Sequence, residues 1–320
     1  MYDVAPLLMT FLVSFAALMP FPIRAVEYTA RALRPPSPHA SVLFAGDMMF
    51  DRSIRTTIES RARNEGGLPT EALAKAGDFI FSCIDPLLAK HDLVVANLEG
   101  PITAYKSVSA TSTPGDGNNY TFTFPPATAP LLHAHNIRVM NLGNNHMLNF
   151  GRVGYVSTKE YLSQAGVSFF GDVPGDSMIY HTAPNGVPLA FVGFNDFGGS
   201  ASSTLAYIKE ARARGDMPIV YTHWGEEYMP ATDREKLLAH EFIDAGAEIV
   251  IGSHPHVVQE REIYHSKLIY YSLGNFIFDQ YWNNDVSHGL MIEVILTTHG
   301  VRSVKEITVV LGRDRRTCAL

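Results

Sequence analysis

Cysteine is nearly missing. The 320 residues hold two, Cys83 and Cys318, and no CxxC pair. A thiolate zinc knuckle and a disulfide-dense secreted scaffold are therefore excluded. Cys83 falls in an apolar helical run and reads as a small core residue. Cys318 stands near the C-terminus, and the two are expected to stay unpaired, which leaves the redox compartment open. Charge is also scarce, at 18% against 46% hydrophobic residues, with a net charge of −7. That balance excludes long disorder, and the lack of a basic stripe excludes a nucleic-acid partner. The one dense basic run, Arg313 to Arg316, is interrupted by Asp314 and reads as part of a solvated tail over residues 313–320. No internal repeat is found.

One long uncharged run is present. Val4–Ile23 has the length to span a bilayer as a helix. Pro6, Pro20 and Pro22 confine its uninterrupted part to Leu7–Met19, nearer the apolar region of a signal peptide. Basic residues are missing before it and follow it at Arg24, Arg31 and Arg34, which taken alone would keep the C-terminal side cytoplasmic. Three readings stand: an uncleaved anchor, a cleaved signal, or a mis-assigned start to a soluble cytoplasmic protein. The anchor is carried forward, giving a membrane-anchored envelope protein with a Pro-rich linker over residues 24–40 and one domain over 41–312.

Within that domain apolar strands alternate with helices. Strands are expected at Ser41–Ala45, Leu93–Ala96, Ile137–Leu142, Val187–Phe194, Pro218–Thr222 and Glu248–Ile251. Helices are expected at Phe79–Lys90, Ala127–His135, Val153–Ala165 and Thr204–Arg214, and from the Thr232-x-x-Glu235 capping box to Ala245. Two late hairpins, Ile263–Phe278 and Leu290–Val310, supply antiparallel strands, so the α/β fold acquires mixed sheets, with a second sheet expected. Thr111–Asn119 is a polar, Gly-rich loop long enough to border a site.

Five strands end on chemistry. Gly46-Asp47, Asn97-Leu98-Glu99, Gly143-Asn144-Asn145-His146, His223-Trp224-Gly225 and Gly252-Ser253-His254-Pro255-His256 each follow a strand at once. Ligands of open α/β sheets bind at the carboxyl ends of strands. If those ends meet, two carboxylates (Asp47, Glu99), an amide oxygen (Asn145) and four imidazoles (His146, His223, His254, His256) converge on one cleft. That inventory suits two divalent transition ions, Mn, Fe or Zn, which clamp a phosphoryl-type oxygen and activate water. Glycines beside the ligands are expected to let the backbone approach the metals. His133, His135, His181, His240, His265, His288 and His299 lie outside strand ends and read as surface or structural residues.

At these residues the chain resembles capsule-synthesis proteins of the CapA type, linked to poly-γ-glutamate, within the calcineurin-like metallophosphoesterase superfamily. The segments are GDMMFDR at 46–52, NLEGP at 97–101, NLGNNHMLNFG at 141–151, THWGEEY at 222–228, GSHPHVVQ at 252–259 and YSLGNFIFDQ at 271–280. The resemblance implies a sandwich of two mixed β-sheets flanked by helices, with ligands at strand C-terminal ends. It implies Asp47 and His256 on a first metal, Glu99 bridging, and Asn145, His223 and His254 on a second. His146 would serve as general acid or as donor to the charged transition state. Asn144, Asn149, Arg52, Glu226, Gln259 and Asn275 stand as supporting or substrate-contacting residues. Two departures follow. Met49 occupies the place of a histidine ligand and weakens the first metal site, and Asn149 replaces an aspartate that would orient His146. The implied activity is metal-dependent hydrolysis in capsule or exopolymer synthesis. Its substrate would be an anionic envelope polymer or a small phosphoester or amide, and other capsule-synthesis proteins would be partners. The rival is a non-catalytic assembly or export factor.

Overall fold

The computed structural model describes residues 38–65, 67–171 and 177–320. The Val4–Ile23 run and most of the Pro-rich linker lie outside them. Among the described residues no helix is long and apolar enough to cross a membrane.

The chain runs β1 (His39–Met48), α1 (Arg52–Glu65), α2 (Thr70–Phe81), α3 (Asp85–Leu88), β2 (Leu93–Leu98), α4 (Thr128–Ala134), β3 (Ile137–Asn141), α5 (Gly151–Gln164) and β4 (Ser168–Phe170). It continues through β5 (Met178–Thr182), β6 (Pro188–Asn195), α6 (Ala201–Arg214), β7 (Met217–His223), α7 (Asp233–Asp244) and β8 (Ile249–Ser253). It closes with β9 (Arg261–Tyr264), β10 (Lys267–Tyr270), β11 (Asn275–Ile277), α8 (Asn284–Ser287), β12 (His288–Thr297), β13 (Gly300–Leu311) and β14 (Thr317–Ala319). One sheet orders β14-β13-β12-β1-β2-β3-β4, with β11 also paired to β1, and the other orders β5-β6-β7-β8-β10-β9. Both mix parallel and antiparallel pairs.

Alternate residues decide the layers. In β1, Val42 and Phe44 pack with Phe191, Ile219 and Ile251 of the second sheet. Leu43 and Ala45 turn the other way, toward Ile54, Ile80, Leu131 and Leu162 of helices α1, α2, α4 and α5. Val192, Val220 and Val250 on the outer face of the second sheet meet Ile208 of α6 and Phe242 of α7. Strands covered on both faces read as continuous apolar runs in sequence, which is why β1, β2, β7 and β8 stand out there. The result is helices, two sheets face to face, then helices.

The expected helix over Phe79–Lys90 is in fact two, split by a turn at Ser82–Ile84. Pro86 has no N–H to offer a continuing helix, but it fits the first turn of α3. Ile263–Phe278 is a hairpin only as far as Tyr270, and β11 crosses to pair with β1 of the other sheet. The capping box is present: the Thr232 side chain accepts from Glu235 N–H, and the Glu235 side chain accepts from Thr232 N–H.

The C-terminal end departs most from expectation. Thr317–Ala319 is a strand paired to β13, not a tail, and Arg313–Arg316 forms its turn. That pairing carries Cys318 to Cys83, and the two form a disulfide with Cα atoms 5.0 Å apart. Sequence spacing could not show it, because 235 positions separate the partners.

Candidate functional site

Strand register brings the polar groups together. Across the first sheet Asn275, Asp47, Asn97 and Asn141 are successive partners on β11, β1, β2 and β3. Across the second, Asn195, His223 and Ser253 are partners on β6, β7 and β8. Each apolar strand therefore turns polar on the same rung. The loops leaving those rungs carry Glu99, Asn145, His146, His254 and His256.

Backbone contact packs neighbouring strands within each sheet closely here. A Cβ on Gly46 would fall 1.8 Å from the Gly274 carbonyl oxygen, and one on Gly252 would fall 1.8 Å from that of Tyr271. Only glycine fits such an approach. These glycines serve strand-to-strand contact. His254 and His256 hold positive φ angles of 101° and 58° around Pro255. A non-glycine residue is strained there, and such strain survives where the surroundings fix it. One such restraint is the His254 N–H, which donates to Asp47 Oδ2 at 3.1 Å.

Two groups of side chains each offer donor atoms within 4.8 Å of one another: Asp47, Glu99 and His256, and Glu99, His223 and His254. Glu99 belongs to both. All five residues are buried. Both Glu99 oxygens and His254 Nδ1 are buried with no hydrogen-bond partner. An ionised carboxylate cannot be left so at neutral pH without a large cost. Burial first, then the neighbouring Asp47 and Glu227 charges, hold the Glu99 carboxyl well above its usual range. Burial also pushes Asp47 up to about 7 and His254 down to about 4, and holds His223 and His256 well below the usual imidazole range. Neutral imidazoles with free lone pairs around an unneutralised carboxylate form the donor set a divalent cation satisfies, so the residues fit a metal.

The outer partners fix the direction of each ring. Ser253 Oγ donates to the Thr222 carbonyl at 2.8 Å, so it accepts from His223 Nδ1 at 3.1 Å. His223 Nε2 faces Asn145 Oδ1 at 2.9 Å, and Asn97 Nδ2 also approaches Nδ1 at 3.3 Å. Asn275 Oδ1 lies 2.9 Å from His256 Nδ1, so Nε2, 3.5 Å from Glu99, carries the free lone pair. Asn149 Oδ1 accepts from Phe122 N–H at 2.8 Å and from His146 Nδ1 at 3.1 Å. Asparagine therefore still orients His146, though without the charge of an aspartate. His146 Nε2 stands 3.9 Å from Glu99, and burial pushes the ring down to about 4.

The remaining candidates separate. Asn144 ties the loop after β3 to Asn97 and to the Leu98 carbonyl. The Arg52 guanidinium pairs with Asp279, lies over the Phe122 and Phe278 rings at 5.2 and 5.4 Å, and reaches Asn119 of the Gly-rich loop at 3.5 Å. With Tyr120, Tyr228, Gln280 and Trp282 it lines a cleft of about 470 Å3. Glu226 is exposed; the acidic residue whose charge reaches Glu99 is its neighbour Glu227. Gln259 donates to the Met229 carbonyl and braces that loop instead of joining the ligand cluster. Met49 is fully buried in the apolar cluster on the helix side, and its Sδ accepts the Asp51 N–H at 2.9 Å. Sharing a turn with Asp47 does not bring it among the donors.

Sequence reasoning passed over Asn97 and Asn141. Asn97 donates to Asp47 Oδ1 at 2.8 Å, and Asn141 donates to Asn97 Oδ1 at 2.9 Å, an amide ladder behind the ligand row. Their signal was an asparagine within the last residues of an otherwise apolar strand.

The chain is similar to several known proteins. The PGA biosynthesis protein CapA of Bacillus subtilis is 30% identical over 263 residues, covering 76% of this chain and 64% of that protein. The capsule biosynthesis protein CapA of Bacillus anthracis is 29% identical over 277 residues, covering 78% of this chain and 62% of that protein. A probable polyglutamine synthesis accessory protein of Mycobacterium tuberculosis is 27% identical over 219 residues, with 59% and 56% covered. The chain thus spans less than two thirds of the length of these relatives. The family model described as bacterial capsule synthesis protein PGA_cap matches residues 41–280, which include every ligand-type residue above, and the chain belongs to that family.

Proposed function

We propose that this protein acts in the synthesis of a capsule or exopolymer of the poly-γ-glutamate type, through a metal-dependent centre resembling that of a phosphoesterase. The supporting observation is Glu99: a buried carboxylate, shared by two ligand groups, with both oxygens unpartnered. Two divalent ions of the Mn, Fe or Zn kind would be held by Asp47, Glu99 and His256 and by Glu99, Asn145, His223 and His254. When bound, they supply Lewis-acid polarisation of a phosphoryl or acyl oxygen. The chain's own residues do the rest. Arg52 offers a fixed guanidinium beside the cluster for an anionic group, and Asn149 aims His146 Nε2 at the ligands. A neutral His146 accepts there. It becomes a donor only when an anion against Nε2 favours its protonated form.

The disulfide supports residence in an oxidising compartment, hence on the outer side of the cell envelope. This runs against the orientation that Arg24, Arg31 and Arg34 alone would suggest. An anionic polymer and other capsule proteins fit as partners. Metal content of protein purified without chelator is the test: two equivalents support the centre, and none, with no hydrolysis of an aryl phosphate, rejects it. The second reading, a non-catalytic assembly factor, draws on Met49: position 49 is turned into the apolar core and adds no donor to the Asp47 group.

A further inference from the structure

Asn275 presents Oδ1 to His256, and that orientation is itself determined. Its Nδ2 faces the backbone carbonyls of Val286 at 2.9 Å and His256 at 3.3 Å. Carbonyls only accept, so the nitrogen must lie on that side, and the His256 ring must carry its proton on Nδ1. Nδ2 has two hydrogens, and its nearer acceptors are the Val286 carbonyl and Gln280 Oε1, the latter at 3.0 Å; the His256 carbonyl shares one of them. Gln280 Nε2 in turn donates to the Tyr228 hydroxyl at 3.1 Å. Asn275 is 1% exposed and Gln280 is 4% exposed, whereas Tyr228 is 43% exposed at the rim of the cleft beside Arg52. Tyr228 holds a positive φ of 63°, and its N–H donates to the Pro255 carbonyl between the two histidines. An unbroken chain of donors and acceptors therefore runs from an exposed phenol to a buried imidazole.

We propose that Gln280 is a positioning residue for metal binding: the two carbonyls set which way the Asn275 amide faces, and Gln280, by accepting from the same Nδ2, steadies that amide against His256 Nδ1 and ties it to Tyr228 in the substrate cleft. The inference rests on the reading of the Asp47–Glu99–His256 group as a metal site. Gln280 touches no ligand atom itself. Its effect passes through Asn275, as outer partners of metal-bound histidines commonly act. A glutamate at position 280 keeps the oxygen that Asn275 needs and can accept from the Tyr228 O–H. A leucine keeps the volume and loses both contacts.

The experiment measures Mn2+ and Co2+ affinity of the full chain for the wild type and for Gln280→Leu, Gln280→Glu and Tyr228→Phe, with 15N spectra of the histidine rings in the metal-free protein. Gln280→Leu is expected to weaken binding by about 10-fold to 100-fold and to broaden the His256 Nδ1–H signal as the Asn275 amide loosens. Gln280→Glu should stay near the wild type, and Tyr228→Phe should fall between them. Unchanged affinity and an intact Nδ1–H signal in a folded Gln280→Leu protein would overturn the proposal. So would equal losses in Gln280→Leu and Gln280→Glu, since only packing would then matter. If Gln280→Leu does not fold, Tyr228→Phe decides: an affinity and ring spectrum equal to the wild type reject the relay. A wild type that binds neither ion rejects the metal site itself, and a mixed His256 tautomer in that protein rejects the relay separately.

Discussion

Strand β8 has a buried carboxylate just before it and a buried imidazole just after it, and the two ends are treated in opposite ways. At the entrance, Glu248 is saturated. It accepts from Lys267 at 2.7 Å, Arg212 at 2.8 Å and the Val301 N–H at 3.0 Å. These contacts outweigh burial and hold its carboxyl below the usual range. At the exit, His254 and the facing Glu99 are left unsatisfied, and burial drives both away from their charged forms. One end spends its buried charge on holding the fold together, and the other keeps it available for a ligand. A protein that satisfied both ends would be more stable and would bind nothing there.

Six substitutions or treatments sharpen that contrast. The largest effect is expected at the exit. Glu99→Gln, and separately His223→Ala and His254→Ala, should reduce retained metal at least about 100-fold with circular dichroism unchanged; elemental analysis checks this, and full metal content in any of them refutes its ligand role. In metal-free protein Glu99→Gln should not destabilise at all. A carboxyl whose folded pKa is raised weakens the fold as pH climbs from 4.5 through that value. Denaturation at pH 7 and pH 5 should therefore show the variant gaining on the wild type at the higher pH.

Opening the Cys83–Cys318 disulfide comes next, with a loss of about 2–5 kcal/mol read from urea midpoints with and without reductant. Glu248→Gln should cost about 1–3 kcal/mol near neutral pH. Here the sign reverses. A carboxyl whose folded pKa is depressed contributes its stability above the unfolded value, near 4.5, and loses it as pH falls through the folded one. The gap between wild type and variant should close in acid. The smallest effect, about 1–2 kcal/mol, is expected for Met49→His, with a lower melting temperature and no tighter metal binding; stronger Mn2+ retention would place Met49 beside the ligands after all.

Much of the fold was legible because β1, β2, β7 and β8 are buried on both faces and end abruptly in polar residues. The candidate ligand residues stood out for the same reason: a strand end is a local event, visible in five or six letters. What failed to show was non-local. The Cys83–Cys318 pair depends on β14 lying against β13. The charge that reaches Glu99 from the loop after β7 is that of Glu227 and not of Glu226, a choice between adjacent letters that only the folded loop makes. Helix α1, Arg52–Glu65, was passed over because it is rich in arginine and short of apolar residues, with only Ile54, Ile58 and Ala62 facing the core. The amide ladder of Asn97 and Asn141 sat within recognised segments, yet its role appears only when the register aligns it behind Asp47.

The two tryptophans give the protein an optical consequence. Trp224 is fully buried, with its Nε1 donating to the Tyr271 carbonyl at 2.8 Å. Trp282 is 62% exposed at the cleft rim, 5.7 Å from the Tyr228 ring. Their emission should separate into a blue component from Trp224 and a red one from Trp282. A molecule settling beside Arg52 shields or quenches the red component and leaves the blue as an internal reference. The chain thus carries its own ratiometric probe of cleft occupancy, usable on unlabelled protein before any substrate is known.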